Sequence, residues 1–364
     1  MSSISSFVVN VEDRKINYNL YALTESEVLK WTEFCANCFS YKQNPPPASY
    51  FARHYYNDPY RDASLIRVMR TAEAEEIVSS VRIFKRKLST GSADECINAG
   101  GIGEVCTSMH HRKRGLAKVL LNNAIDAMER EEGMDCSLLH AAPAFVPVYQ
   151  KVGYECVRSS WSLVEIEMIN MTQLVQKENL QEKTKIRLAE FPKDTERLRH
   201  IHKSYSEDRF AGCVIRSTAY WNEYICKEIG SSLLVLTIPN EEQSGDYIVA
   251  WISVRPRNGR FQLRDFGVDC SVAKEHGMSK LSIFAKLLMS ALPQEKGVLT
   301  LHLPSPILED IKAGQHEMNL FPNGSISEDD DGWMYKKLND SAENMVRLVK
   351  VQPRPHFIWP SDSF

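Results

Sequence analysis

The alternation of hydrophobic and polar residues predicts three strands and one helix in the first part of the chain. The helix follows Thr24, which opens a Thr-x-x-Glu pattern typical of a helix start, and its apolar residues recur at helical spacing. Three successive prolines cannot continue a helix, so we expect residues 41–59 to be irregular. The strands are predicted at residues 16–22, 64–70 and 76–86.

A strand, a polar turn containing a glycine and a long amphipathic helix come next. The strand covers residues 102–107, and the helix runs from about residue 114 to residue 132, with Gly133 expected to cap its end. A strand, a short helix and closing strands are then predicted at residues 136–140, 145–151 and 154–167. The order β-α-β-β-β-α-β-α-β predicts a compact α/β layer domain over residues 1–168.

The second half of the chain repeats this order of elements without repeating the glycine-bearing turn. Residues 169–183 are polar and are expected to form a linker. Residues 184–340 contain strand and helix patterns in a similar order, which predicts a second α/β domain of related architecture. Residues 341–364 form the C-terminal segment, and its last residues, rich in proline and aromatic side chains, are expected to be an extended tail.

Composition and charge narrow the class of protein. A chain of 364 residues fits two domains, and 43% hydrophobic with 25% charged residues is typical of soluble globular proteins. The net charge of -3 does not favour nucleic-acid binding, and no run of about 18 apolar residues predicts a membrane span. The nine cysteines lack zinc-site spacing, so we expect reduced thiols, no metal site and a cytoplasmic or nuclear protein. The sequence leaves the oligomeric state open.

The turn before the long helix has the composition of a phosphate-binding site. A helix N-terminus offers free N–H groups and a partial positive charge to an anion. Gly115 lets the backbone approach a phosphate closely, and Ala117 keeps the next approach point small. Arg112, Lys113 and Arg114 add positive charge where a diphosphate would lie. The pattern predicts a diphosphate-bearing cofactor that is held mainly by the backbone.

Two motifs resemble the GNAT acetyltransferase superfamily. The segment VCTSMHHRKRGLAKVLL matches its strand, Arg/Gln-x-x-Gly-x-Gly/Ala turn and helix, and the segment YQKVGY matches Tyr-x-x-x-Gly-Phe/Tyr. The resemblance implies an N-terminal GNAT fold with a mixed central sheet and acetyl-CoA as the cofactor. It implies contacts to the acetyl and pantetheine portion from Val105, Cys106 and Thr107. The pyrophosphate would lie among Arg112, Lys113, Arg114, Gly115, Leu116 and Ala117.

The same resemblance implies catalytic groups. Tyr149 matches the acid that protonates the departing thiolate, although its ring could instead only pack beneath the cofactor. Glu104 lies where many members place a carboxylate base, directly before the cofactor-binding residues; the alternative is a structural or solvated strand residue. Residues 141–143 (AAP) stand where an Asn is often found, which puts a side-chain contact to pantetheine in doubt.

A GNAT domain, a second GNAT-like half without the phosphate turn and a short aromatic tail are similar to two groups, the Eis acetyltransferases and the fungal lysine N6-acetyltransferases. In the Eis group the terminal carboxylate of the chain is the base, which here would be that of Phe364; the tail could instead only pack on the second half. The resemblance implies one cofactor per chain, with the second half shaping the acceptor pocket. Tyr50, Phe51 and Tyr55 are candidates for lining that pocket, or they form a small packed cluster.

Three functions follow from these observations. The favoured one is acetylation of the primary amine of a small molecule, with free L-lysine as the first candidate. The second is acetylation of protein lysines, such as those of histone tails. The third is a non-catalytic acetyl-CoA-binding module, against which the intact turn and Tyr149 count. No nucleic-acid or membrane partner is expected.

Overall fold

Two mixed β-sheets with helices on their faces make up the fold. A computed structural model describes residues 3–11, 14–91, 95–239, 246–292, 297–313, 320–321, 323–340 and 356–362. Within these residues one sheet has eight strands and the other has seven, and each contains a parallel pair among antiparallel ones. The predicted α/β class, with a mixed central sheet and a second α/β part, is confirmed.

The strands follow one another along the chain with the following bounds. They are β1 (Ser5–Val11), β2 (Arg14–Ala22), β3 (Ile66–Thr71), β4 (Ile77–Ser89), β5 (Cys96–Thr107), β6 (Cys136–His140), β7 (Glu155–Cys156), β8 (Ser159–Glu167), β9 (Lys185–Leu188), β10 (Leu234–Pro239), β11 (Asp246–Arg257), β12 (Arg260–Val268), β13 (Val298–Pro304), β14 (Ser325–Asp330) and β15 (Trp333–Lys337). The first sheet has the order β1-β2-β3-β4-β5-β6-β15-β7, and the second has the order β14-β8-β13-β12-β11-β10-β9.

Two strands exchange between the sheets. The strand β8 was predicted to close the first half. This prediction is wrong, because β8 lies in the second sheet between β13 and β14. In return, β15 from the second half pairs with β6 and β7 in the first sheet. The alternation of a strand predicts which of its faces is buried but not which strand it pairs with, so the exchange is invisible in the sequence pattern. The domain boundaries themselves stay a prediction.

Helices cover both faces of the first sheet and pack on the second. Their bounds are α1 (Val28–Cys38), α2 (Ala48–Tyr56), α3 (Leu116–Asp126), α4 (Val146–Gln150), α5 (Met168–Lys177), α6 (Leu180–Lys183), α7 (Thr195–His202), α8 (Cys226–Ile229), α9 (Cys270–Glu275), α10 (Lys280–Ala291) and α11 (Ser305–Lys312). The apolar face of α3, with Leu120 and Ala124, packs on one side of the first sheet. The helices α1 and α2 pack on the other side, around the buried Trp31.

One local prediction is wrong. Residues 41–59 were expected to be irregular, but α2 begins directly after Pro47, which caps it with φ -71° and ψ 164°. Proline excludes a helix on its N-terminal side while tolerating one that starts beside it, because the first helical N–H groups need no intrahelical acceptor. The segment 169–183, predicted to link the two domains, contains most of α5 and all of α6, with Met171 and Leu174 buried in the core of the second half, and its role as a linker stays a prediction.

The described part of the tail is packed into the protein. Phe357, Ile358 and Trp359 are buried. The backbone N–H of Phe357 donates to the carbonyl of Ala211 at 2.9 Å, and the Trp359 indole donates to the Ser206 hydroxyl at 3.0 Å. Apolar side chains close to a chain terminus stay ordered when they gain a core environment of this kind.

A buried ion cluster fixes the end of the described tail. The guanidinium of Arg216, with 0% side-chain exposure, contacts Asp265 at 2.6 Å and Asp362 at 2.8 Å. The Ser361 hydroxyl donates to the same Asp265 carboxylate at 2.6 Å. A charge removed from water in this way is tolerated only when partners offset the lost hydration. The cluster therefore ties the tail to the second sheet through charge as well as apolar packing.

We predict that Asp362→Ala lowers the free energy of unfolding by about 3 kcal/mol, because the buried Arg216 guanidinium loses a charged partner. Urea denaturation followed by tryptophan fluorescence measures the change. Asp329→Ala is the matched control, because it breaks an ion pair with Arg158 in which both side chains are at least half exposed. Its effect should stay below about 1 kcal/mol. Equal effects for the two variants would contradict the anchoring role.

Candidate active site

The parallel pair β5 and β6 separates toward its C-terminal end. The two strands pair over three residues, the last being Gly101 opposite Leu138. From there β5 continues along β4 as far as Thr107, whereas His140 at the end of β6 pairs with Trp333 of β15. The sheet therefore has an opening between β5 and β6, and the backbone of β5 faces it. A linear ligand can lie in such an opening and bind strand backbone groups as a neighbouring strand would.

A bulge in β5 aims Glu104 at the α1–α2 face of the sheet. Glu104 has a φ of 53°, in the left-handed region. The register with β4 shifts at this point, between Ser80 opposite Cys106 and Arg82 opposite Gly103. Bulges of this kind redirect a side chain at a functional edge. The Glu104 carboxylate consequently lies 3.5 Å from the Arg82 guanidinium.

The turn after β5 presents free backbone N–H groups. Lys113 and Gly115 both adopt left-handed conformations, with φ of 63° and 78°, and Lys113 is exposed. Within the described residues the N–H groups of residues 113–118 donate to no protein acceptor, and no side chain caps α3. A Cβ atom at Gly115 would meet nothing within 4 Å, so the surface of the turn is open. The arrangement is that of an anion site at a helix N-terminus.

Two arginines of the turn are held by hydrogen bonds within the first half. Arg112 donates through Nε to the carbonyl of Thr107 at 3.2 Å. Arg114 donates to the Tyr18 hydroxyl at 2.5 Å and lies 3.1 Å from Nδ1 of His111. Burial lowers the pKa of His111, and Arg114 lowers it further, so the ring favours its neutral form. The two arginines thus carry the positive charge beside the free N–H groups.

The other residues predicted to hold the cofactor differ in what they can offer. Cys106 and Leu116 are buried in separate core clusters, so their side chains serve the fold and their backbone is what can reach a ligand. Val105, Thr107 and Ala117 are half-buried. The prediction that this set would contact a cofactor chiefly through the main chain is compatible with this burial and stays a prediction.

Tyr149 lies on α4 with its ring half-buried against the cluster around α3. Burial raises the pKa of its hydroxyl to about 12, and the hydroxyl has no hydrogen-bond partner among the described residues. The ring packs edge-on against Tyr154, whose hydroxyl lies 2.6 Å from that of Ser137. The Ser137 hydroxyl donates to the Gly100 carbonyl, where β5 and β6 still pair. The segment 149–154 is thus held at the base of the opening between β5 and β6. Its Tyr149 hydroxyl keeps its proton at neutral pH.

The Glu104 carboxyl has the electrostatic environment of a base that works near neutral pH. Its side chain is 8% exposed. Burial raises its pKa to about 7, while Arg82 opposes the shift and Asp58 adds to it. A carboxyl with a pKa near the working pH can accept a proton and release it again.

A buried charge network behind Glu104 escaped the sequence analysis. The Asp58 carboxylate accepts two hydrogen bonds of 3.0 Å from Arg86 and lies 3.5 Å from Arg82. Both arginines come from one face of β4, and Arg82 also lies over the ring of Phe84 at 4.0 Å. The sequence did contain a sign of this network. Two arginines four residues apart in an apolar strand indicate buried charges, and buried charges require partners of opposite sign.

The three aromatic residues predicted to line the acceptor pocket pack in one cluster, where the rings of Tyr50 and Phe51 meet edge to face with centroids 5.2 Å apart. Phe51 and Tyr55 are buried in the cluster around Trp31, and the Tyr55 ring supports Arg82 at 5.1 Å. Tyr50 is half-buried at the edge of that cluster, and the nearby Glu104 carboxylate contributes to its raised pKa, after burial. Tyr50 is therefore the member of the three that faces the candidate base.

Phe364 lies outside the described residues, so its carboxylate as the base stays a prediction. The last described residue, Asp362, is fully buried. Burial raises its pKa, whereas the charges of Arg216 and Arg86 oppose the shift. Because Arg86 also binds Asp58, the described tail ends beside the network that supports Glu104.

The described residues contain no sign of a membrane-spanning helix or of a metal site. None of their helices is long and apolar enough to cross a membrane. Among the same residues, no group of three or more His, Cys, Asp or Glu side chains is placed to hold a metal ion.

Comparison with known proteins agrees with this geometry. Residues 19–157 match the model of a family described as an acetyltransferase (GNAT) domain. The fold is similar to a GCN5-related N-acetyltransferase from Anabaena variabilis, with 14% identity, a TM-score of 0.61 and coverage of 88% of this chain and 73% of that one. A GCN5-related N-acetyltransferase from Kribbella flavida has 18% identity, a TM-score of 0.57 and coverage of 88% and 71%.

A third solved structure, Eis1 from Mycobacterium abscessus, has 11% identity and a TM-score of 0.55, and covers 89% of this chain and 74% of that one. No curated protein matches the chain. The chain thus carries a GNAT acetyltransferase domain, and it is an N-acetyltransferase that uses acetyl-CoA. The free N–H groups of residues 113–118 and the open surface at Gly115 fit the diphosphate of that cofactor.

We predict that Gly115→Ala raises the KM for acetyl-CoA about tenfold. Alanine is strained in the left-handed conformation of Gly115, and its methyl group would lie where the backbone is expected to meet the phosphate. Steady-state kinetics with acetyl-CoA as the varied substrate measure the effect. Gly133→Ala is the matched control, since Gly133 has a φ of 60° and equally open surroundings beyond the far end of the same helix. A similar rise in KM in both variants would indicate general strain instead.

Proposed function

We propose that this enzyme acetylates the primary amine of a small molecule, with free L-lysine as the first candidate. The observation that carries the proposal is the buried Glu104 carboxyl with a pKa of about 7, which lies on the sheet face opposite the α3 side. Tyr50 adjoins it from α2, and groups of the second half adjoin Tyr50, namely Glu228 and Arg255. An acceptor position covered by both halves favours a small substrate over a polypeptide.

The chemistry requires a proton acceptor and a proton donor on opposite sides of the opening between β5 and β6. Acetyl-CoA supplies a thioester carbonyl that a neutral amine can attack. Main-chain N–H groups of β5 that point into the opening would donate to the carbonyl oxygen. Glu104 takes the proton from the amine, directly or through a water molecule. Tyr149, protonated at neutral pH, donates a proton to the sulfur that leaves.

Acetylation of protein lysines is the second candidate function. It requires a groove wide enough for a polypeptide beside the opening, whereas the tail and the second half occupy that side. Thiol release from acetyl-CoA measured with L-lysine, spermidine and a histone-tail peptide distinguishes the two. We expect turnover with a small amine; turnover with the peptide alone would establish the second function. Absence of turnover with every amine, despite acetyl-CoA binding, would favour a non-catalytic module.

The carboxylate of Phe364 is the alternative base. Its support is the course of the described tail, which reaches the buried Asp362, on which the charge of Arg86 acts. The assignment of the base to Phe364 and its assignment to Glu104 predict different effects of shortening the chain.

We predict that Glu104→Gln lowers kcat at least about 100-fold, because the amide cannot accept the proton. In the natural enzyme kcat/KM rises with pH through about 7, since Glu104 acts in its ionised form, which forms above its pKa. The variant should lose this inflection.

Two further variants test the assignment. Glu131→Gln is the control, because Glu131 is an exposed acid that pairs with Arg67 away from the opening, and the inflection should remain. Removal of residues 363–364 should leave both kcat and the inflection in place. A loss of about tenfold or more on removal, with an active Glu104→Gln enzyme, would instead make the Phe364 carboxylate the base.

We also predict that Tyr149→Phe lowers kcat about 10- to 100-fold with little change in the KM for acetyl-CoA, because the ring that packs beside Tyr154 is kept and the proton donor is removed. Donors with better leaving thiols need less help from an acid. An acetyl thioester of an acidic thiophenol should therefore recover much of the loss. A variant that keeps full kcat with acetyl-CoA would show that Tyr149 is only a packing residue.

A further inference from the structure

A cavity of about 510 Å³ lies between the end of β6, the second sheet and the tail. On the first-half side it is lined by His140, which borders the opening between β5 and β6. On the second-half side it is lined by Arg255 and Arg257 of β11 and by Gln262 of β12. Trp359 of the tail closes it from a third side.

Two arginines of this cavity have no acidic partner among the described residues. Arg255 donates to the Gln262 side-chain oxygen through Nε at 3.0 Å and Nη2 at 2.8 Å. Arg257 donates to the same oxygen at 3.1 Å. Gln262 is buried and neutral, so it orients both guanidinium groups without neutralising either. Arg260 differs in this respect, because it pairs with Glu328 at 3.0 Å.

The surroundings of Arg255 make its positive charge costly. Burial and the neighbouring charges of Arg264 and Arg257 together lower its pKa to about 10. Glu228 and Tyr50 oppose the shift without cancelling it, although Glu228 lies 3.7 Å from Arg264. A bound anion would offset this excess of positive charge and accept hydrogen bonds from the remaining N–H groups of the Arg255 guanidinium.

The arginine pair and the candidate base share a neighbour. The charges of both Glu104 and Arg255 act on the Tyr50 hydroxyl. His140 gives the geometric connection, because it lines the cavity and ends the strand that borders the opening. The cavity therefore adjoins the end of the opening between β5 and β6.

We propose that Arg255 and Arg257 bind the carboxylate of an amino-acid acceptor and so direct its side-chain amine toward Glu104. The inference rests on the proposed function and narrows it to acceptors that carry an amine at one end and a carboxylate at the other. A guanidinium fork matches a carboxylate in shape and charge, and its orientation by Gln262 reduces the ordering cost of binding. The aromatic walls, Trp161, Trp333 and Trp359, can cover the apolar stem between the two ends.

The kinetic test compares L-lysine with L-lysinamide, which has the same stem and amines but no carboxylate. In the natural enzyme kcat/KM for L-lysine should exceed that for L-lysinamide roughly 10- to 100-fold, the range of a charge-assisted hydrogen-bonded pair. In Arg255→Gln this ratio should fall to within about threefold of unity, with the loss appearing in the KM for L-lysine. Arg260→Gln is the matched control, because it removes a cavity arginine that already has a partner, and it should keep the ratio.

Equilibrium binding separates this inference from the proposed function. Three tryptophans line the cavity, so tryptophan fluorescence reports its occupation by L-lysine without turnover. Saturation by L-lysine in the natural protein, weakened at least about tenfold in Arg255→Gln but not in Arg260→Gln, supports the carboxylate site even if neither compound is acetylated. Equal affinity for L-lysinamide, an Arg255→Gln variant that binds L-lysine normally, or no saturation by L-lysine would overturn it. An unchanged Kd for acetyl-CoA in each variant confirms that the protein is folded.

Discussion

The buried Asp58 carboxylate is the interaction on which the site depends. It joins Arg82 and Arg86 of β4, and each arginine leads to a different part of the molecule. Arg82 reaches Glu104 in β5, while the charge of Arg86 acts on Asp362 at the end of the described tail. An arginine or a carboxylate in this interior would be expensive alone, so each position constrains the next.

The carboxylates of this network outnumber its cations. Its cations are Arg82, Arg86 and Arg216, and its carboxylates are Glu104, Asp58, Asp265 and Asp362, so the acids exceed the cations by one (4 - 3 = 1). Asp58 lies between two arginines, whereas Glu104 ends the series with a single arginine 3.5 Å away. Burial is the main cause of the raised pKa at Glu104, and a single arginine opposes it only in part. The pKa of Glu104 is thus set by the place where the fold buries it, and not by one adjacent residue alone.

How much the sequence could predict depends on whether the signal was local. The turn around Gly115 and the helix after it were predicted because glycine, positive charge and apolar periodicity lie within one continuous segment. The exchange of β8 and β15 was not predicted, because strand pairing depends on residues about 170 positions apart, such as Trp161 and Glu328. For the same reason Arg255 was not singled out, since its meaning depends on Gln262 beside it and Tyr50 from the other half.

A difference between two helix N-termini gives a physical basis for the expectation of one cofactor per chain. In the first half, α3 begins at Gly115 with no side-chain cap, so its N–H groups remain available to an anion. In the second half, the corresponding helix α9 follows Asp269, whose carboxylate accepts hydrogen bonds from the N–H groups of Ser271 and Val272. Asp269 also pairs with Arg197 at 2.7 Å, which holds it in place. A carboxylate that already occupies the helix N-terminus excludes a phosphate by charge as well as by space, because both anions need the same N–H groups. The second half is consequently free to supply residues to the acceptor, and the exchanged strands hold it against the first half where those residues are needed.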